Sequence, residues 1–419
     1  MATNTLLTPL LITRESLRVL HQKCNFLGNC NRQYDDRFAN DGAKIGTTLN
    51  VRMPAKYNVR TGATYAADDH VQRSTPFTVD SQYGVDVSFT SVELTMSMDD
   101  FSKRHIDPAM AQLAAKIESD CMTDGYRWVN NYTNATTNAL LTYKAFQQGG
   151  ANLTKNLAPI GDRAAVMSPD STVEFLDATK ALFHSSNNLE KQFRDGMLLR
   201  TGGFEVYENT LTPGHTTGSM AGTPVTTGAA LGTSTTTANT WVSQSDIDID
   251  GATTTTTITF GDIITLAGVY SVHPETKVNS GKLMTFVSQE TTTLGTAATI
   301  TVKPGLIYGA GNAFQNCVLS GVSDTNNLTV ARIGAVSSAF GQDLQFHKDA
   351  FVFGTADLED VSKYGAWGAR DSMDGISMRI AKQYDIATDT VPCRIDILFG
   401  FDLLYPELAN RHMYETDLL

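Results

Sequence analysis

The chain has 419 residues, 41 % of them hydrophobic and 18 % charged, enough for more than one domain with a true core and too apolar for a disordered protein. A formal net charge of -12 excludes tight, sequence-independent binding to nucleic acid, which needs a surplus of Lys and Arg on some face, and leaves only weak local contact. No apolar run approaches the length of a membrane span, and Thr8, Pro9, Thr13 and Arg14 break the Leu6–Ile12 stretch, so neither a membrane segment nor a signal peptide is expected and synthesis belongs in cytoplasm.

Residues 1–45 read as an N-terminal arm whose regular piece is a helix-like stretch, Thr13 to Lys23, with Leu17 and Leu20 on one face. Such an arm gains order by lying on a partner surface. Strand patterns follow at Thr47 to Met53 and Val85 to Phe89, continued by Val92, Leu94 and Met96. Between them lies a polar excursion, Lys56 to Val79, with Arg60, Gly62, Asp68, Asp69 and Arg73, which cannot bury a core and is expected to project as a long two-stranded flap within residues 46–92.

Asp107 to Val129 predicts a long helix, with Asp107 as N-cap, Pro108 at the first helical position, and Met110, Leu113, Ala114, Ile117, Cys121 and Trp128 along one face. At 1.5 Å per residue it is on the order of 33 Å long, a strut. Asn130 to Pro159 is polar and reads as loop with room for one short helix. Arg163 to Met167 is a buried strand, and Ser168-Pro169 opens a helix with a face of Val173, Leu176, Thr179 or Lys180, and Phe183. After a turn at Arg194-Asp195-Gly196, Gly202 to Pro213 leads into a Thr- and Gly-rich block.

From Asn209 to Ser245 a run of 37 residues has no Asp, Glu, Lys or Arg. Beyond it Ile258, Phe260, Ile264, Leu266, Tyr270 and Val272 share one parity and Thr257, Thr259, Thr265 and Ser271 the other, the alternation of half-buried strands. The block therefore reads as a flexible lead-in, Thr216 to Thr237, and a compact all-β barrel from about Asn239 to Gly334, inserted in a different domain. Afterwards Asp343 to Gly354, a long strand at Gly375 to Tyr384 and another at Cys393 to Phe401 resume the earlier style, and Pro406 to His412 closes the chain.

Motifs for chemistry are scarce. Asp246-Ile247-Asp248-Ile249-Asp250-Gly251 begins like a calcium loop, but the twelfth position is Thr257 instead of Glu, and Ile247 and Ile249 suit a strand with one buried face; an exposed acidic strand edge is the expected reading, with Asp246, Asp248 and Asp250 as a weak metal candidate. The 8 histidines form no HxxxH or HExxH pair, no nucleophile elbow or phosphate loop occurs, and Gly305 to Gly311 lacks the Lys-Ser/Thr of a phosphate cradle. Five cysteines, Cys24, Cys30, Cys121, Cys317 and Cys393, odd in number and widely spread, read as reduced and mostly buried. Neither a cofactor nor a catalytic set is expected.

The order of the pieces resembles the major capsid proteins of tailed double-stranded DNA bacteriophages, the Hong Kong 97-type α+β shell fold, and more narrowly the P-twenty-two-like coat proteins with an inserted β-barrel. The resemblance rests on Thr48-Leu49-Asn50-Val51-Arg52-Met53-Pro54, Asp195-Gly196 to Pro213, Phe260-Gly261-Asp262-Ile263-Ile264-Thr265-Leu266-Ala267-Gly268-Val269-Tyr270, Phe346-His347-Lys348-Asp349-Ala350-Phe351 and Arg394 to Gly400. It implies an arm (1–45), an extended loop (46–92), a peripheral domain with a spine helix (93–159 and 358–419), an axial domain (160–217 and 340–357) and an inserted barrel (218–339). It also implies a virion subunit that forms pentamers and hexamers, assembles in the host cytoplasm with a scaffolding protein and a portal, and encloses packaged DNA; a decoration protein stays open.

Within that reading the functional residues are contacts between copies. Arg52, Lys56 and Arg60, spaced by four, are expected to meet Glu118, Asp120 or Asp124 of a neighbour's spine helix, so charge reversal at Lys56 and Arg60 should change assembly yield and its salt sensitivity; each exposed pair contributes only about 0–1 kcal/mol, multiplied by repetition around a shell. Asp246, Asp248 and Asp250 are the expected contact edge of the barrel. Lys56 and Asn410 are formal candidates for the lysine–asparagine cross-link of some relatives, although the narrower family does not cross-link. Two other readings are a secreted Thr-rich adhesin with a calcium site and an encapsulin-like nanocompartment, which would lack the inserted barrel.

Overall fold

The computed structural model describes residues 24–32, 48–59, 62–65, 71–90, 107–134, 141–179, 200–227, 241–295, 297–309, 311–321, 327–359, 361, 367–373 and 376–415. The expected helix from Thr13 to Lys23, Arg60, Asp68, Asp69, Val92, Leu94, Met96, Lys180, Phe183 and the turn at Arg194 to Gly196 lie outside them.

In chain order the elements begin with a one-turn helix α1 (Asn25–Gly28), strands β1 (Thr48–Arg52), β2 (Ser74–Thr78) and β3 (Ser81–Thr90), and helix α2 (Asp107–Trp128). Next come β4 (Tyr132–Thr133), helix α3 (Tyr143–Lys155), β5 (Arg163–Met167), helix α4 (Pro169–Thr179), β6 (Glu205–Glu208) and β7 (Gly214–Thr216). The middle of the chain is strand after strand: β8 (Gly222–Thr226), β9 (Ser245–Ala252), β10 (Thr257–Ile258), β11 (Ile263–Val272), β12 (Asn279–Ser288), β13 (Thr292–Thr293), β14 (Ala297–Lys303), β15 (Cys317–Leu319) and β16 (Val330–Arg332). It ends with β17 (Ala339–His347), β18 (Phe351–Ala356), β19 (Trp367–Met373), β20 (Ile376–Lys382), β21 (Thr390–Leu403) and β22 (Ala409–Glu415). The fold is mixed α+β, and no described helix is long and apolar enough to cross a membrane.

The chain divides into two compact units, one of residues 1–51, 75–122 and 351–404, the other of residues 52–74, 123–350 and 405–419. In the first, β21 is the central strand: β3 runs antiparallel along one edge, while β20 and β18 share the other in succession. Phe26 of α1 packs edge-on to Phe351 at 5.5 Å and near Phe401 at 5.9 Å, and Asn31 exchanges backbone hydrogen bonds with Phe351 and Phe353, which fixes residues 24–31 on β18. The expected apolar stripe of α2 is present, with Met110, Leu113, Ala114, Ile117 and Cys121 all buried. Four cysteines are buried and Cys393 is half-buried, all five as free thiols.

Among the described residues, the expected long two-stranded flap is paired at its base and no further out. Met53 N–H donates to Arg73 O at 3.0 Å, and the described residues from 54 to 73 form no strand, consistent with Pro54 lacking a ladder donor and Gly62 at φ 97.

In the second unit β22 lies between β4 and β17, and β5 and β6 continue the sheet on the far side of β17. The tail expected merely to close the chain therefore supplies an interior strand. Helix α3 is longer than the short helix expected in the 130–159 stretch; Thr142 caps it, its Oγ1 accepting from Ala145 N–H at 3.2 Å. Its Gly149 lies close against β17 and β22, where an added Cβ would meet the side chains of Gln345 and Asn410. Helix α4 buries Ser171, Thr172 and Phe175 and leaves Val173 exposed, so the face expected from Val173 is rotated.

Strands β8, β9, β14, β12 and β11 are hydrogen-bonded in that order, and β16 pairs with the other edge of β11. Thr226 N–H donates to Leu328 O at 3.0 Å and Asn327 N–H to Thr226 O at 2.8 Å, so the sheet returns from β16 to β8 and closes on itself. Ile247, Ile249, Ile264, Leu266, Phe286, Ile300 and Val302 fill its interior. The alternation along β11 slips at Gly268, at φ 81, where the register with β12 shifts; Val269 rather than Tyr270 then points inward. The expected flexible lead-in, Thr216 to Thr237, holds β8 and the last residue of β7, while 228–240 lie outside the described residues.

Candidate assembly site and buried polar junction

The residues expected to meet a neighbour have different fates. Arg52 is exposed and Arg60 is outside the described residues. Lys56 is half-buried, and burial lowers its ammonium below the usual value, with Glu407 opposing and Arg73 reinforcing the shift. Glu118 is 1 % exposed and its Oε1 accepts from Phe26 N–H at 2.6 Å, so this carboxylate anchors α1 within its own chain and is not available to another copy. Asp120 accepts from Lys116 Nζ at 2.9 Å and from the Tyr83 hydroxyl at 2.7 Å. Asp124 lies 3.8 Å from Arg127 Nη1 one turn along the helix. Asn410 is buried, its Nδ2 donating to Thr133 Oγ1 at 3.3 Å and its Oδ1 accepting from Asn152 at 3.1 Å, so it is held in the sheet.

Asp246, Asp248 and Asp250 alternate outward along β9 between the buried Ile247 and Ile249. They are not on a strand edge, because β9 is hydrogen-bonded to β14 on one side and β8 on the other. Two of the three are answered by the residue directly opposite: Thr301 Oγ1 donates to Asp246 at 2.7 Å and Thr299 Oγ1 to Asp248 at 2.6 Å. An extended strand spreads carboxylates along an open face, whereas a calcium loop curls them around one point.

A constellation missed in the sequence lies at the foot of the closed sheet. Asp262 and His215 are buried, with His215 Nε2 and Asp262 Oδ1 2.9 Å apart. Asp262 Oδ2 also accepts from Gly218 N–H at 3.0 Å and Thr259 N–H at 2.8 Å. The other ring nitrogen of His215 meets the Tyr126 hydroxyl at 3.3 Å. Burial lowers the imidazole below its usual value, against the opposing pull of the Asp262 hydrogen bond. Arg411 of β22, fully buried, donates from Nη2 to Gly261 O at 2.6 Å, and burial lowers its guanidinium to about 10. Both nitrogens of His215 are engaged and shielded, so the group locks three segments together. The signal in the sequence was a lone Asp at the head of an apolar strand, Gly261-Asp262-Ile263-Ile264, a position where only a satisfied buried charge persists.

The face of β17 and β22 under α3 is also polar. Asp343 Oδ1 accepts from Ser168 N–H at 2.9 Å, and burial pushes its carboxyl up to about 7. Its register partner His412 shares Nδ1 with Thr133 Oγ1 at 3.0 Å and is held neutral by burial, down to about 3.

The family model of the P22 coat protein, gene protein 5, matches residues 1–414. Among solved structures the chain is similar to one from Mycobacterium phage Che8, at 8 % identity and a TM-score of 0.46, over 92 % of this chain and 89 % of that one. It is similar to the capsid of Cyanophage P-SCSP1u at 10 % identity and a TM-score of 0.42, over 88 % and 83 % of the two chains, and to the CUS-3 coat protein I-domain at 17 % identity and a TM-score of 0.20, over 27 % and 98 %. No curated protein sequence matches it. With the match running from the first residue to 414 of 419, the chain belongs to the P22 coat protein family and is a structural subunit of a phage capsid.

Proposed function

We propose that the chain assembles into pentamers and hexamers of an icosahedral head, without catalysing a reaction, and that its parts divide the work as in the Hong Kong 97-type shell: arm (1–45), extended loop (46–92), peripheral domain (93–159 and 358–419), axial domain (160–217 and 340–357) and an inserted barrel (218–339). The observation that carries this reading is the junction of β7 and β17. Thr216 and Ala339 are register partners, and Thr217 N–H donates to Ser338 O at 3.0 Å, so the chain leaves for the closed sheet and returns at neighbouring strands. That is the geometry of an insertion into a sheet that continues on both sides of it.

Other features support the same reading. Tyr57, Val59 and Tyr65 in the loop are 72, 93 and 83 % exposed, apolar surface suited to a neighbouring copy. The shielded His215–Asp262 pair fits a non-enzymatic subunit. The net charge of -12 suits a container that touches packaged DNA weakly. A scaffolding protein and a portal as assembly partners, the host cytoplasm as the place of assembly and the virion as destination complete the proposal; the adhesin and nanocompartment readings are not favoured by the family.

Excising Gly218 to Ala339 tests the division of labour. The deletion removes Asp262 and the Gly261 carbonyl that Arg411 needs, so impaired folding or altered shell size is expected. Normal shells from the deleted chain would make the closed sheet a decoration.

A further inference from the structure

In the second unit, three cations at the base of the extended loop, Lys56, Arg73 and Lys277, outnumber the carboxylate that acts on the first two, Glu407. Arg73 is 8 % exposed; its guanidinium lies 5.3 Å over the Phe314 ring, Nη2 is 3.4 Å from Pro54 O, and Nε has no hydrogen-bond partner. Lys277 Nζ donates to Gln315 O at 3.1 Å, the next residue along the same loop. Asn58 Nδ2 donates to Gly311 O at 2.6 Å and so holds the 53–59 segment, which carries the half-buried Lys56, against that loop. Among the described residues none of the three cations makes an ion pair. Glu407 is the carboxylate whose field reaches Lys56 and Arg73, Tyr405 is the other titratable group facing Arg73, and Lys56 and Arg73 both act on Lys277.

We propose that Lys56, Arg73 and Lys277 form a binding site for an oxyanion of the phosphate class. Three positive charges against one carboxylate leave an excess that a divalent oxyanion would balance. The donor set fits it: a planar guanidinium braced on an aromatic ring, with an unpartnered Nε–H nine-tenths buried, and two ammonium groups from different segments. Like charges held together in partial burial repel strongly, and an anion converts that repulsion into attraction. The same mutual repulsion, with burial as the larger cause, lowers the Lys277 ammonium to about 8. Free phosphate and the phosphate of packaged DNA offer the same chemistry.

The test is calorimetric titration of inorganic phosphate into the full-length chain at pH 7, against chloride at matched ionic strength, with a short DNA duplex as a second arm. Saturable binding of phosphate is expected, at least about tenfold weaker in Lys277→Met and in Lys56→Gln, the loss for one charge-assisted hydrogen bond. The Lys277 amine, followed by NMR, should titrate near 8 in chloride and move upward when phosphate is present, because an anion favours the charged form. Competition between duplex and phosphate would assign the site to the DNA backbone; phosphate binding without duplex binding would assign it to the free ion. Equal heats for phosphate and chloride, or unchanged phosphate affinity in a Lys277→Met chain that melts like the parent, would overturn the proposal.

Discussion

The interior of the closed sheet holds Ile247, Ile249, Phe286, Ile300 and Val302 at 0–1 % exposure, whereas the sheet around β17 and β22 buries Gln342, Asp343, Gln345, Asn410, Arg411 and His412 at 0–2 %. The first region is held by burial of hydrocarbon, which is additive and tolerant of similar shapes. The second is held by hydrogen bonds in a site shielded from water, where each unmet partner is expensive. The subunit's register is thus specified in the polar sheet, and its stability comes from the apolar one. A closed sheet with an apolar interior and threonines outside needs little from its surroundings, while the polar sheet fixes which segments meet and in what register.

The largest effect should come from breaking the lock that joins the two regions. Asp262→Ala leaves His215, Gly218 N–H and Thr259 N–H without their acceptor, and is expected to destabilise the chain by about 3–5 kcal/mol in urea denaturation. A loss under about 1 kcal/mol would mean that the junction is not a lock.

The next effect is a pH dependence that belongs to the polar region alone. The folded-state value of Asp343 is raised to about 7 from 3.8, so the folded chain holds a proton that the unfolded chain has lost between those values. Stability from this group is therefore full below about 4 and is lost as pH rises through 7. Asp343→Asn keeps the acceptor for Ser168 and removes the charge; at pH 8 it should be more stable than the parent by about 1–3 kcal/mol, with the gap closing toward pH 4. His412 works in the other direction, its stability contribution lost as pH falls below the usual histidine value toward about 3. A pH-independent gap for Asp343→Asn in thermal melts would contradict the burial of that charge. The smallest effect is in the apolar region, where Ile300→Val is expected to cost about 0.5–1.5 kcal/mol and to leave the pH profile unchanged.

The two regions also differ in how far they could be read from the sequence. Alternation of Ile with Asp at 245–250 and the apolar periodicity of 110–121 come from local spacing, and both appear as expected. The length of helix α3 is masked in the sequence by Gly149 and Gly150, poor helix formers that lie against Gln345 and Phe204 in the folded chain. The tail strand β22 is not marked in the sequence because Asn410, Arg411 and His412, buried on its two faces, are polar, and hydrophobic patterning cannot mark a strand whose burial depends on partners up to 279 residues away. For the same reason the His215–Asp262 pair, 47 residues apart, carries no motif. Charge and spacing alone cannot tell an exposed carboxylate from Glu118, bonded to Phe26 N–H across 92 residues.

Self-assembly is the property that a capsid subunit must show. Electron microscopy of the chain expressed together with its neighbouring phage head genes should show uniform closed shells. A persistent monomer under those conditions, folded but unassembled, would contradict it.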